Sequence, residues 1–301
     1  MNEVFTLQLL HASDLEGGIE AIGRAPNFAA IADFFASDPE LGANTLTLSA
    51  GDNYLSGPFF SAAGDNSGVP VVEGVPSIQA ALREAYDFIY GLAPGTIQSF
   101  NEIETDSGRI DITIMNLIGF DASVLGNHEF DLGTFEVADI IATEVAGGFI
   151  DDAGILAELE FPGTLFPYLS ANLDFSGDEN LAFLFTDELR NAEDFVLSLE
   201  AIAALDEQAA AAGNEAALRP APGTGNADFI DFDRIAPSVI ADVNGEQIGI
   251  IGLTTPELPS LSSPGGVEVI GGEGSPLDPA ILQTLADEAN AEVARLQAAG
   301  V

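Results

Sequence analysis

A chain of 301 residues has room for one large domain or two ordinary ones, and its 47% of hydrophobic residues supplies a sizeable core. Its 49 acidic residues face seven arginines and no lysine; the resulting formal charge of −42 repels nucleic-acid phosphates and anionic membranes and excludes a nucleic-acid-binding scaffold. Without cysteine there is no disulfide, thiolate zinc site or cysteine nucleophile, and no apolar run reaches the ~18 residues that a membrane helix needs.

The N-terminus has no basic region ahead of its apolar run, so residues 5–11 read as a buried strand and not as a secretory signal. A polar loop with Asp14, Glu16 and two glycines follows. Pro26 marks a helix start, with Phe28, Ile31 and Phe35 at helical spacing. Residues 45–48 form the next strand, ending in Gly51-Asp52-Asn53. Residues 61–75 read as an irregular excursion and 78–90 as a helix. Residues 110–118 fit either a strand, by their isoleucines, or a helix, by their position. A brief strand at 121–125 leads into Gly126-Asn127-His128.

Residues 131–148 read as a helix and 168–173 as a strand. Residues 176–230 carry an Ala-rich helix (194–213) and a Pro/Gly/Asn loop, and read as an insertion or peripheral lobe of a single domain spanning 1–301. Asn244-Gly245 between two apolar runs predicts a hairpin. Asp278-Pro279 opens a last helix that Gly300 closes. Strands alternating with helices give an α/β class. The acidity fits a saline extracellular or periplasmic setting, where salt screens self-repulsion, or else a calcium-rich one, although no export signal is visible at the N-terminus.

Three polar loops, each after a strand, carry the chemistry: Asp14 with Glu16, Asp52 with Asn53, and Asn127, His128, Glu129 and Asp131. In an α/β sheet such loops converge at the C-terminal strand ends. Carboxylates and an amide gathered there are hard donors for divalent cations. Asp131, three residues after His128, is placed to hold one ring nitrogen and fix the tautomer. His11, the other histidine, reads as a packing and hydrogen-bonding residue of the first strand.

Gly126-Asn127-His128-Glu129-Phe130-Asp131 resembles the signature of calcineurin-like metallophosphoesterases of the 5′-nucleotidase branch. Leu9 to Asp14, Ala50 to Asn53 with Ser56-Gly57, Phe166 to Asn172, and Gly249 to Pro256 resemble further stretches of the same domain. The resemblance implies two packed mixed β-sheets flanked by helices. It implies hydrolysis of phosphate monoesters, with nucleotides as the substrate class, at two divalent metal ions (Mn, Mg, Ca or Zn). By resemblance Asp14 is a first-metal ligand, Asp52 the bridging carboxylate, Asn127 a second-metal ligand, and His128 with Asp131 the catalytic pair.

Two departures stand out. The usual Asp-x-His is here Asp14-Leu15-Glu16; Glu16 as a ligand hardens the donor set and favours manganese, magnesium or calcium over zinc. No histidine follows His128, whereas the family supplies more metal-binding histidines later. The expectation is therefore a domain cut before its last strands and weak or inactive alone. The competing reading is a non-catalytic metal-binding module of a secreted acidic multidomain protein.

Overall fold

The computed structural model describes residues 5–15, 19–57, 60, 77–97, 107–146, 154–212, 218–220 and 227–301. In chain order its first half contains β1 (Gln8–Ala12), α1 (Ile19–Ala36), β2 (Thr45–Ser49), α2 (Ile78–Ile89), α3 (Arg109–Ile118), β3 (Ala122–Val124), α4 (Thr134–Ile141) and β4 (Glu144–Ala146). Then come α5 (Ile155–Glu158), β5 (Leu159–Phe161), β6 (Tyr168–Leu169), β7 (Leu173–Asp174), α6 (Leu199–Ala212), β8 (Leu218–Pro220), β9 (Ala227–Ile230) and β10 (Ile235–Ala236). The chain closes with β11 (Ser238–Val243), β12 (Glu246–Ile251), α7 (Leu258–Leu261), β13 (Glu268–Val269) and α8 (Pro279–Ala299).

The main sheet runs β1-β2-β3-β6-β10, and every neighbouring pair is parallel. All five C-terminal ends therefore lie on one edge, and this places the site. The other sheets among the described residues are antiparallel: a four-stranded sheet β5-β4-β9-β8, the hairpin β11-β12 and the pair β13-β7. The expected α/β class with flanking helices is present. The expected mixed main sheet is instead parallel throughout, because each of its strands is reached by a crossover and none by a hairpin.

Several local expectations change for identifiable reasons. Residues 110–118 are helical: Gly108 and Gly119 bracket α3 with φ of 74° and 81°, and Ile112, Met115 and Asn116 bury one helical face. The helix expected over 131–148 stops at Ile141, where Ala142 turns extended and β4 pairs with β9, a partner far along the chain. The strand expected over 168–173 splits after Leu169. There Ala171 N–H turns to the Gly252 carbonyl, and Asn172 turns to Thr254. α1 starts at Ile19, with Pro26 inside it.

Strong local signals hold. Asn244 and Gly245 both take left-handed φ (54° and 88°), as a two-residue hairpin turn with primed geometry requires. The Asp278 side chain accepts from Ala280 N–H at the start of α8, and Gly300 ends that helix at φ 100°.

One large core lies against the sheet. A run of ring contacts, Phe28–Phe120, Phe120–Phe166 and Phe166–Tyr168, has centroid separations of 6.2, 6.2 and 5.6 Å and leads from α1 to the middle of the sheet. Within 176–230, Leu181, Leu184, Leu197 and Ile202 join this core. Among the described residues Arg109 and Arg234 are fully buried. Arg109 pairs with Asp139 and Glu144. Arg234 donates to the carbonyls of Thr164, Phe195 and Pro162 and to Thr143 Oγ1, and so ties four segments together.

Candidate active site

The parallel register sets the loops side by side. Ala12 of β1 stands opposite Ser49 of β2, Ser49 opposite Ser123 of β3, and Ser123 opposite Tyr168 of β6. The loops after these strands carry Asp14, then Asp52 and Asn53, then Asn127 to Asp131. Asp14 N–H donates to the Gly51 carbonyl at 3.1 Å, joining the first loop to the second.

Asp14 and Asp52 are two of the three described non-glycine residues with positive φ, at 50° and 54°. Such backbone costs energy and persists only where its surroundings enforce it. Here the enforcement is close approach. A Cβ on Gly51 would come within 2.6 Å of Gly126 N, and one on Gly126 would lie 2.2 Å from Asp52 Oδ1. The two loops touch backbone to backbone, which explains a glycine in each.

A buried carboxylate holds this contact. Glu129, 1% exposed, accepts from the N–H groups of Asp52 (3.0 Å), Asn53 (2.8 Å) and Gly126 (2.8 Å). Burial pushes its carboxyl up to about 7, against the opposing pull of those backbone donors. Asn53, also buried, works from below. Its Oδ1 accepts from Ser49 Oγ at 2.6 Å, and its Nδ2 donates to Ser123 Oγ (2.8 Å) and Tyr168 Oη (3.0 Å). One amide thus reads the register of three adjacent strands.

His128 sits in a short 3₁₀ turn (His128–Phe130). Its backbone N–H donates to Asp52 Oδ1 at 2.9 Å, and its Nδ1 lies 2.8 Å from Asp131 Oδ2. Asp131 accepts through its carboxylate, so Nδ1 carries the proton. The His128 side chain is 33% exposed and that of Asp131 20%, so the pair is half-buried and reachable. Asp131 also accepts from Ser262 Oγ at 2.8 Å.

The structure therefore brings together Asp14, Asp52, Asn127, His128 and Asp131 on one sheet edge. Glu16 lies outside the described residues. His11 is exposed on β1 and is not the packing residue expected. Asp14, Asp52 and Asn127 offer hard oxygen donors of the kind divalent cations take, yet among the described residues no group of three His, Cys, Asp or Glu is placed to hold an ion. The set fits a hard cation in kind and falls short in number. The sequence reading missed the roles of Glu129, Asn53 and Ser262. The Glu inside Gly-Asn-His-Glu was a signal for the first; Ser262 carried none.

Fold and site define an α/β protein with a polar, half-buried His–Asp pair at the C-terminal edge of a parallel sheet. No family model matches the chain. Among curated proteins, the trifunctional nucleotide phosphoesterase protein YfkN of Bacillus subtilis (strain 168) is 28% identical over 159 residues, which is 53% of this chain and 8% of that protein. The 5′-nucleotidase of Diplobatis ommata is 25% identical over 270 residues, 87% of this chain and 28% of that protein. The chain thus spans less than a third of either relative, one named a nucleotide phosphoesterase and the other a 5′-nucleotidase. Among solved structures, a 5′-nucleotidase precursor from Thermus thermophilus aligns with TM-score 0.45 at 22% identity, over 99% of this chain and 36% of that one. The NAD nucleotidase of Haemophilus influenzae aligns with TM-score 0.37 at 18% identity, over 87% and 29%. No helix among the described residues is long and apolar enough to cross a membrane.

Proposed function

We propose that the protein containing this chain hydrolyses phosphate monoesters, with nucleotides as its substrate class. The observation that carries the reading is the His128–Asp131 pair, 2.8 Å apart, with His128 N–H held by Asp52 on a neighbouring strand-end loop. The names of the two curated relatives support the same class.

In this reading Asp131 keeps the first proton on Nδ1, and the ring, once it carries a second proton on Nε2, meets the phosphoryl group there and stabilises or protonates an oxygen. Asp14, Asp52 and Asn127, with Glu16, are this chain's contribution to a site for two divalent cations, of which Mn, Mg, Ca and Zn are the candidates. Such cations, when bound, supply polarisation of phosphoryl oxygens and activation of a water. Asp52 would hold such a cation through its carboxylate. The setting proposed is extracellular or periplasmic, where salt screens the acidic surface.

The test is phosphate release from AMP and p-nitrophenyl phosphate with added manganese, for this chain and for a version extended along its gene. Turnover in the extended version, with little in the chain alone, is the expected result. His128→Ala should then slow turnover far more than it weakens metal binding. Silence in both proteins across metals, with folding verified, would replace the enzyme by a non-catalytic module.

A further inference from the structure

We infer that Ser262 is a positioning residue for the His128–Asp131 pair, supplied by a strap that runs from Thr254 to Ser263 along the third loop. The inference rests on the phosphoesterase reading for its consequence in catalysis, but its geometry stands alone.

The strap is pinned at both ends to the loop that carries His128. At its start Thr254 Oγ1 donates to the Leu125 carbonyl at 2.7 Å. Thr254 is itself locked to Asn172, whose Oδ1 accepts its N–H and whose Nδ2 donates to its carbonyl, both at 2.8 Å. At its end Ser263 N–H donates to the Phe130 carbonyl at 3.1 Å. Between these anchors Leu258 is fully buried and fixes α7 in the core. The backbone of Ser262 closes α7 by donating to the Leu258 carbonyl at 2.9 Å. Its hydroxyl is thereby aimed at Asp131 Oδ1, 2.8 Å away.

Asp131 thus has its two oxygens divided. Oδ1 takes the Ser262 hydroxyl, and Oδ2 takes His128 Nδ1, with Ser56 Oγ at 3.5 Å on the edge of reach. A carboxylate held at one oxygen cannot rotate freely, so the other oxygen presents a fixed acceptor to the ring. Sequence distance hides this arrangement, since Ser262 lies 131 residues from its partner.

The full chain contains only two histidines, His11 and His128, so ring-nitrogen NMR reads His128 without ambiguity and needs neither metal nor turnover. The expected wild-type signature is the Nδ1–H tautomer of His128. Ser262→Ala should speed exchange of that proton with water and shift the ring toward the Nε2–H tautomer. Ser262→Thr, which keeps the hydroxyl, should restore the wild-type signals. Ser260→Ala, in the same turn and away from Asp131, should leave them alone. Unchanged His11 signals serve as the fold control. Identical His128 signals in wild type and Ser262→Ala would overturn the inference.

Kinetics on the gene-extended version give the functional arm. Ser262→Ala should lower kcat by about tenfold with little change in KM, and should add no loss in a His128→Ala background. An equal loss in that background would reduce Ser262 to a structural role and overturn the proposal. Absence of any turnover in the wild type would count against the phosphoesterase reading, while the NMR result for Ser262 would stand.

Discussion

The Oδ1 atom of Asp52 accepts the backbone N–H of His128 at 2.9 Å, so the same side chain read as a metal bridge also sets the position of the histidine. The two roles separate by substitution. Asp52→Asn keeps an oxygen for the N–H but removes the charge. It should melt close to the wild type while the gene-extended version loses turnover by about a hundredfold or more. Asp52→Ala removes both and should also destabilise the fold by about 1–2 kcal/mol, the cost of an orphaned donor. Phosphate release and thermal melting on both variants check this; retained turnover in Asp52→Asn would remove Asp52 from the metal assignment.

Glu129 is the fastening between the second and third loops. Replacing it by alanine leaves the N–H groups of Asp52, Asn53 and Gly126 without their acceptor. At about 1–3 kcal/mol for each buried donor left unmet, with some relief from entering water, a total loss of about 3–5 kcal/mol is expected. Glu129→Gln should fall between, because its amide turns one N–H₂ toward a backbone donor. Urea unfolding measures both; an unchanged midpoint for Glu129→Ala would show that the loops hold each other without it.

Asp111 gives a pH signature away from the site. It lies in the first turn of α3, only 8% exposed, and burial pushes its carboxyl up to about 7 from 3.8. Between those values the folded chain keeps a proton that the unfolded chain has released. This group's contribution is therefore fully present below 3.8, declines as pH rises through about 7, and is lost above that. Asp111→Asn mimics the protonated form. Above neutral pH it should exceed the wild type in stability by on the order of 4 kcal/mol, and the two should converge in acid. Denaturant unfolding across the pH range tests this, and parallel curves would contradict it.

Charge predicts a salt response. With −42 formal charges and only seven arginines to offset them, self-repulsion dominates the surface. Raising salt from low to molar shortens the Debye length from about 30 Å at 0.01 M to about 3 Å at 1 M. The melting temperature should climb by several degrees, since about 1 kcal/mol moves the Tm of a large domain by roughly 2 °C. A flat melting temperature across that range would place the liability elsewhere.

Much of this molecule was legible in short windows of sequence. The Asn244-Gly245 turn and the Asp278-to-Gly300 helix follow from backbone preferences of single residues. The approach of Asp14, Asp52 and His128 was legible too, because each follows an apolar run and parallel strands put all such loops on one edge. Tertiary structure decided what no window contains. It made residues 110–118 a helix by burying one face, and it ended α4 early by pairing β4 with β9. It gave Glu129 three donors from two loops and brought Ser262 to Asp131. Periodicity and turn chemistry act over a few residues, whereas a buried hydrogen bond selects its partner by position in space. The partners of Glu129 at Asp52 and of Asp131 at Ser262, 77 and 131 residues away, exist only once the sheet has formed.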